Sequence, residues 1–390
     1  MLVDAAGDLL GALPPVPVAM PYWQEASDVV AAAREAYGID VTVLRLLEAD
    51  RPAPHGGTVT YLAQLDGPPP PDLREVAEDL RPRPHPLRLP YAEPGGPARS
   101  LAWARERLGW SAMTAVQQRT WNLSAIWRLD GPDGRRVWLK QVPPFFDHEG
   151  AVLRWLDGAL PGVAPHLIAA GDEGRVLLGD VPGVDGYDAD VAQVHAIAAV
   201  HHRVQVRAAA ANGELAAAGV PDRRGPRLGE WIRASLAGHE PAVDAVLPDL
   251  DARLAALAAC GLPDTLVHGD LHGGNVRLGE GPPVIFDWGD SSLGNPAFDV
   301  LRLTGHLDAT DRDEVVGAWA ARWRADAPGA DPERAVALVG PLAPLYGAAA
   351  YAMFLAHIEP SEHPYHRDDV PDALAAVASL VAAERPTVGG

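Results

Sequence analysis

His268-Gly-Asp270-Leu-His272-Gly-Gly-Asn275 is the stretch from which the rest of the chain can be read. Thr265-Leu266-Val267 leads into it as a short apolar strand would. Beyond Asn275 the pattern is extended again: Val276-Arg277-Leu278, a turn at Gly279-Glu280-Gly281-Pro282, then Val284-Ile285-Phe286. Alternating apolar residues on both sides of a Gly/Pro turn predict a hairpin. That hairpin ends on Asp287-Trp288-Gly289-Asp290, so it returns a second carboxylate toward the first. Asp270, Asn275 and Asp287 are therefore expected to converge from a loop, a strand start and a strand end.

Such a trio has a chemical use. A hard cation such as Mg²⁺ takes oxygen ligands, usually one or two from the protein, with water and substrate phosphates completing the octahedron. Asn275 and Asp287 offer those oxygens, while Asp270, left uncoordinated, can accept a proton from a hydroxyl. The same spacing occurs in protein-kinase catalytic loops. The two-part motif resembles the signature of the aminoglycoside phosphotransferase and choline kinase family. That resemblance implies an α+β, bilobal protein-kinase-like fold and transfer of the ATP γ-phosphate to a small-molecule hydroxyl. It implies Asp270 as catalytic base, Asn275 and Asp287 as magnesium ligands and His268 as a brace for the loop. Turn formation accounts for Gly, Asp and Asn in a loop, but not for two His, two Asp and an Asn in this order.

Composition bounds the partners. The 390 residues suffice for two or three domains, and a net charge of −20 argues against nucleic acid, whose phosphates it would repel. The charge suits a cationic small molecule, although a solubilising surface is the plainer reading. With Cys260 the only cysteine, no intrachain disulfide can form, which fits the cytoplasm. The first twenty residues carry Asp4 and Asp8 and no basic residue, unlike a signal peptide. Ala335 to Ala356 is uncharged but holds Gly340, Pro341, Pro344 and Gly347, so it reads as a buried helix pair rather than a membrane span. Nothing in the sequence points to an oligomeric state.

Working outward to the N-terminus, residues 1–97 read as a small α+β cap domain without chemistry of its own. A helix is expected over Ser27–Tyr37, capped by Ser27 or Asp28 and stopped by Gly38. Strands follow at 41–47 and 58–65. Six prolines in the seventeen residues Arg81 to Pro97 look like a linker. Residues 98–183 then form the expected N-lobe, beginning with an Arg-rich helix at 98–108. Its hairpin runs from Trp121 to Leu129, turns at 130–134 and returns over Arg136–Val142. Lys140 is the only lysine among 32 basic residues. A retained ammonium suits a task that Arg performs badly, such as meeting phosphate oxygens as a compact point charge.

By resemblance, Lys140 contacts nucleotide phosphates and Glu149, at the start of an apolar-periodic helix, is its partner. The plainer alternative for Glu149 is an acid favoured by the helix dipole. By the same resemblance, Trp121-Asn-Leu-Ser124 stands where a phosphate-covering loop belongs, with Ser124 as the expected nucleotide contact, although it departs from protein kinases in lacking the glycines they use there. Strands at 167–170 and 176–178 lead to Gly179-Asp180-Val181-Pro182-Gly183, where the hinge backbone at Asp180 and Val181 is expected to bind adenine.

Residues 184–390 read as a helical C-lobe, with helices over 188–211, 227–237 and 241–259. His195, His201 and His202 fall in the first and are taken as packing residues. Asn295-Pro296 starts another helix. By resemblance Asp299, closing Gly294-Asn-Pro296-Ala-Phe-Asp299, braces the catalytic loop. Asp290, Glu359 and Glu362 are acceptor-binding carboxylates in this reading. The favoured acceptor is an aminoglycoside or amino sugar, with choline-like alcohols and hydroxy-amino acids as alternatives. Only eleven residues separate Asp287 from Asp299, too few for a protein-kinase activation segment. Two other classes compete: a hydrolase holding zinc on His268, Asp270 and His272, and a nucleotide-binding pseudokinase. The second is disfavoured because Lys140, Glu149, Asp270, Asn275 and Asp287 are all present.

Overall fold

The computed structural model describes residues 1–51, 56–78, 81, 83–132 and 134–384. Residues 52–55 of the N-terminal inter-strand loop, Pro82 of the proline-rich stretch and Asp133 of the 130–134 turn lie outside the described residues. The chain sorts into two compact units. One combines Met1–Asp147, Leu167–Asp180 and Phe354–Asp368; the other combines His148–His166, Val181–Met353 and Asp369–Gly390.

The first unit holds two sheets. Strands β1 (Leu2–Val3), β2 (Leu9–Gly11), β3 (Asp40–Ala49) and β4 (Val59–Asp66) order as β2-β1-β4-β3. Helix α1 (Ala26–Tyr37) covers one face, where Leu2, Ala33, Ile39, Val41, Ala63 and Leu65 form a shared core. Gly38 ends α1 in the left-handed conformation, as expected, but the cap position is Glu25, without a side-chain cap. Ser27 and Asp28 lie inside the helix. Glu25 instead receives Arg119 at 2.9 Å. Helix α2 (Gly96–Leu108) packs Ala104 on a second sheet through Trp127, Leu129, Val137, Leu139 and Leu177. That sheet consists of β5 (Thr114–Trp121), β6 (Ser124–Asp130), β7 (Arg136–Gln141), β8 (Leu167–Gly171) and β9 (Arg175–Gly179), in the order β5-β6-β7-β9-β8.

The sequence reading missed β5, whose Gln-Gln-Arg-Thr segment breaks the apolar alternation. Its central Gln117 is buried. Its amide accepts from Val43 N at 2.9 Å and donates to Val43 O at 2.7 Å, so the side chain continues the ladder of β3. The N-terminal sheet is therefore stitched to the five-stranded one within a single unit. The second half of the proline-rich stretch is packed as well: Leu89, Tyr91 and Ala92 cluster with Ala125.

The second unit is mostly helical. Helix α3 (Glu149–Ala159) precedes a short strand β10 (Val184–Asp185) and helices α4 (Val191–Ala209), α5 (Asn212–Ala217) and α6 (Pro226–Ser235). The single helix expected over 241–259 is two, α7 (Glu240–Val246) and α8 (Leu250–Ala258). Pro248 lies between them, where it removes a donor and restricts Leu247. Then come β11 (Thr265–Val267), β12 (Val276–Leu278), β13 (Val284–Ile285), β14 (Ser292–Gly294), α9 (Ala297–Thr304), α10 (Ala309–Asp326), α11 (Pro332–His357) and α12 (Asp369–Glu384).

Helix α11 corrects the expectation of a helix pair. It runs unbroken through Pro341 and Pro344. By length and apolarity it is the one described helix that could span a membrane. Ala335, Val339, Leu342, Leu345 and Ala349, spaced three or four apart, have no exposed surface. Burial of that stripe, as in a core helix, outweighs the two lost backbone bonds.

Candidate active site

The hairpin expected around the catalytic stretch is present: β12 and β13 pair antiparallel, with Val276 opposite Ile285. Phe286 N donates to Asn275 O at 3.0 Å, which brings Asp287 back beside the loop. The loop itself folds on local bonds. Gly269 has φ +87°, and a Cβ there would meet Asp290 O at 2.4 Å. Gly273 lies against Gly186, whose carbonyl oxygen a Cβ would meet at 1.9 Å. Both positions require glycine, one for conformation and one for closeness.

His268 is fully buried and committed at both ring nitrogens. Nδ1 accepts Asp270 N at 3.3 Å, so Nε2 is the donor to Phe286 O at 3.0 Å. Burial lowers its pKa and keeps the ring neutral. A ring spent in this way has no lone pair for zinc, which removes the hydrolase ligand set. Its role is a tie between the loop and the strand end before Asp287, with Trp288 packed against it at a centroid distance of 4.6 Å.

Asp270 is the most heavily contacted carboxylate of the loop. Asn275 Nδ2 donates to its backbone oxygen at 3.0 Å and to Oδ2 at 3.2 Å. Arg302 Nε donates to Oδ1 at 2.8 Å, and His272 Nε2 lies 3.4 Å from Oδ2. Burial alone would raise the pKa, but the His272 and Arg302 donors outweigh it and hold the carboxyl at about 2. The group is thus ionised and fixed in direction.

Asn275 fits a cation-ligand role by elimination. Its amide nitrogen is spent on Asp270, which leaves Oδ1 as the atom to ligate. Asp287, beside it at the hairpin end, has φ +64°, a conformation unusual for any residue but glycine and tolerated best by Asp and Asn. Strain of this kind clusters at functional sites. Glu149, the buried first residue of α3, accepts Trp288 N at 3.1 Å and so tethers the residue after Asp287. The two oxygen donors suit Mg²⁺ better than a soft metal.

Asp299 lies under the loop. Its carboxylate accepts His268 N at 2.9 Å and Gly269 N at 3.0 Å, as a brace should. Burial raises its pKa to about 7 against those two donors. His201 Nε2 stands 3.4 Å away, so this helical histidine faces the brace. The cap expected at Asn295 falls one residue early: α9 begins at Ala297 with Pro296 in the cap position, and Asn295 Oδ1 accepts Ala297 N at 3.0 Å from just before it. Asp290 is half-buried and acts electrostatically on Arg223, whose guanidinium sits 3.7 Å over the Trp231 ring. Burial, followed by the charges of Asp369 and Asp270, raises the pKa of the Tyr351 hydroxyl; Arg302 acts against them, and Asp290 adds a smaller push in the same direction.

Five remaining predicted residues belong to the first unit. Lys140 is buried on β7, paired with Ile126 on one side and Val176 on the other. Ser124 is buried at the tight turn of β5 and β6, its hydroxyl accepting Trp121 Nε1 at 3.1 Å. Glu359 and Glu362 are enclosed rather than open. Arg88 grips Glu359 at 2.6 and 2.9 Å, and Arg45 lies 3.6 Å away. Glu362 is buried, and its pKa is pushed up to about 8 by burial and by Glu359. A turn rich in Glu and His looks like a binding loop in sequence, but its acids serve the interior. Asp180 accepts Trp138 Nε1 at 2.6 Å and closes the first unit's middle segment; Val181 opens the next part of the second unit.

Arg302 and Tyr351 went unread, because one helical arginine or tyrosine among many carries no local signal.

The phosphotransferase enzyme family (APH) matches residues 115–336. No curated protein sequence matches the chain significantly. Among solved structures, macrolide 2'-phosphotransferase MphH from Brachybacterium faecium is 21% identical, over 71% of this chain and 97% of that one, with a TM-score of 0.50. Choline kinase LicA from Streptococcus pneumoniae is 14% identical, over 72% and 99%, with a TM-score of 0.53. The GDP and kanamycin complex of APH(2")-IIia is 15% identical, over 74% and 99%, with a TM-score of 0.52. These likenesses establish the protein-kinase-like α+β fold.

Proposed function

The chain belongs to the phosphotransferase enzyme family, a family of small-molecule kinases, and from that premise we propose that it moves the γ-phosphate of ATP to a hydroxyl of an amino-bearing sugar. The observation that carries the reading is the bond from Asn275 to Asp270, which locks a proton acceptor and a cation ligand into one loop. Asp270 orients the acceptor hydroxyl and takes its proton as the oxygen closes on phosphorus. Mg²⁺ held by Asn275 and Asp287 would neutralise phosphate charge. Lys140, with Glu149 as its partner, does the same from the nucleotide side, Ser124 adds a contact, and the backbone at Asp180 and Val181 receives the base. His268 and Asp299 keep the loop in place. Catalysis then consists mainly of positioning and electrostatics.

The charges of Asp270, Asp290 and Asp369, all felt at the Tyr351 hydroxyl, favour a cationic acceptor. The enclosed Glu359 and Glu362 are left out of the acceptor site. A nucleotide co-substrate and a lone cysteine fit the cytoplasm. The deciding experiment is a nucleotide-consumption screen with ATP and GTP over aminoglycosides, amino sugars, choline-like alcohols and hydroxy-amino acids. Product mass then identifies the phosphorylated acceptor. No phosphorylated product from any of these classes would overturn the reading.

A further inference from the structure

The ionised carboxylate of Asp270 has two oxygens and about four lone-pair directions. Arg302 Nε and Nη2 both lie 2.8 Å from Oδ1. Asn275 Nδ2 and His272 Nε2 lie 3.2 and 3.4 Å from Oδ2. Oδ1 is thus faced by the Arg302 guanidinium, and Oδ2 by Asn275 and His272. An acceptor O–H that takes Oδ1 meets Arg302 there and must displace it.

The three donors are held very differently. Asn275 is buried and anchored by a second bond to Asp270 O. His272 is fixed because its Nδ1 accepts Gly274 N at 3.0 Å, which also makes Nε2 the protonated nitrogen. Arg302 has a 54% exposed side chain and stands one turn beyond the brace Asp299 on α9. An exposed arginine pair is worth little, and its release costs correspondingly little.

We propose that Arg302 is a positioning residue that occupies the proton-accepting edge of Asp270 until an acceptor hydroxyl displaces it, and thereby suppresses transfer to water. The proposal rests on Asp270 being the base. In the productive step the acceptor O–H proton passes to Oδ1 and the acceptor oxygen bonds to the γ-phosphorus. The bond from that phosphorus to the bridging oxygen breaks, and nucleoside diphosphate leaves. Water is small enough to enter the same step, and its product would be inorganic phosphate. A guanidinium on Oδ1 denies water the base. An acceptor held by further contacts can displace it.

The test is phosphate release from MgATP without any acceptor, in wild type, Arg302→Gln, Asp270→Asn and the double variant, with melting curves to establish that each is folded. Arg302→Gln should raise hydrolysis by about fivefold, since water is no longer kept from the base. The double variant should return to the wild-type level or below. Arg302→Lys, which keeps the charge with a different geometry, should fall between wild type and Arg302→Gln and serves if the glutamine variant does not fold. Unchanged hydrolysis in the Arg302 variants, with Asp270→Asn lowering the wild-type rate, would overturn the proposal and leave the base assignment standing. If Asp270→Asn leaves hydrolysis unchanged in both backgrounds, Asp270 is not the base and both ideas fall.

Discussion

Glu149 accepts the backbone N–H of Trp288 at 3.1 Å, so the first residue of α3 holds the residue that follows Asp287. The tether explains how Asp287 is kept at φ +64°. Glu149→Ala would leave that N–H without its acceptor and release the hairpin end. Mg²⁺-dependent nucleotide affinity should fall by about tenfold, the equivalent of one buried hydrogen bond to a charged group. Calorimetric titration with MgATP measures it, and an unchanged affinity would show that the tether does not position Asp287.

Asp270→Asn preserves shape but removes the proton acceptor. Turnover should drop by a factor of roughly 10² or more, with little change in nucleotide affinity, because Asn275 and Asp287 remain. Near-normal turnover in a folded variant would rule out the base assignment.

The two proposed ligands should differ. Asp287→Ala removes charge and oxygen, Asn275→Ala only a neutral oxygen, so the first should weaken the Mg²⁺ requirement of nucleotide binding more. Titrating Mg²⁺ at fixed ATP separates them. Equal Mg²⁺ dependence in wild type and both variants would place the cation elsewhere.

Lys140→Arg tests the chain's single lysine. The position is buried on the central strand β7, where a planar fork needs a different geometry from a compact ammonium. ATP turnover should fall sharply although charge is kept. Wild-type kinetics in this variant would show that the lysine makes no phosphate contact.

Glu362 supplies a pH test. Its folded pKa of about 8 lies above the ordinary 4.5, so between those values the folded state binds a proton that the unfolded state has lost. Stability contributed by the neutral acid is complete below about pH 4.5 and declines as pH rises toward 8. Glu362→Gln imitates the neutral form at every pH. Its melting temperature relative to wild type should therefore increase from pH 5 to pH 8.5. A difference that stays constant across that range would mean that Glu362 titrates normally.

The arrangement of residues 268–287 was legible because its geometry is local. Asp270 to Asn275 spans one loop, and a two-strand hairpin of known turn chemistry returns Asp287 to it. The place of Asp299 was legible as well, in the first turn of the helix that Asn295-Pro296 announces. In contrast, nothing local distinguishes Glu359 and Glu362 from an open acidic turn; Arg45 and Arg88, far away in sequence, hold Glu359, and Glu362 is buried. Pro248 broke a helix that was expected to continue, and Pro341 and Pro344 did not break one that was expected to stop, since the outcome depends on what covers each helix.

Spacing along the chain alone returned Asp287 toward Asp270 and Asn275: backbone geometry allows few paths between residues five or twelve apart. Tertiary structure decided what each group does there. Arg302 reaches Asp270 from 32 residues away, and Gln117 joins Val43 across 74. Contacts at such separations are selected by the packing of whole helices and sheets, and residue spacing carries no record of that free energy.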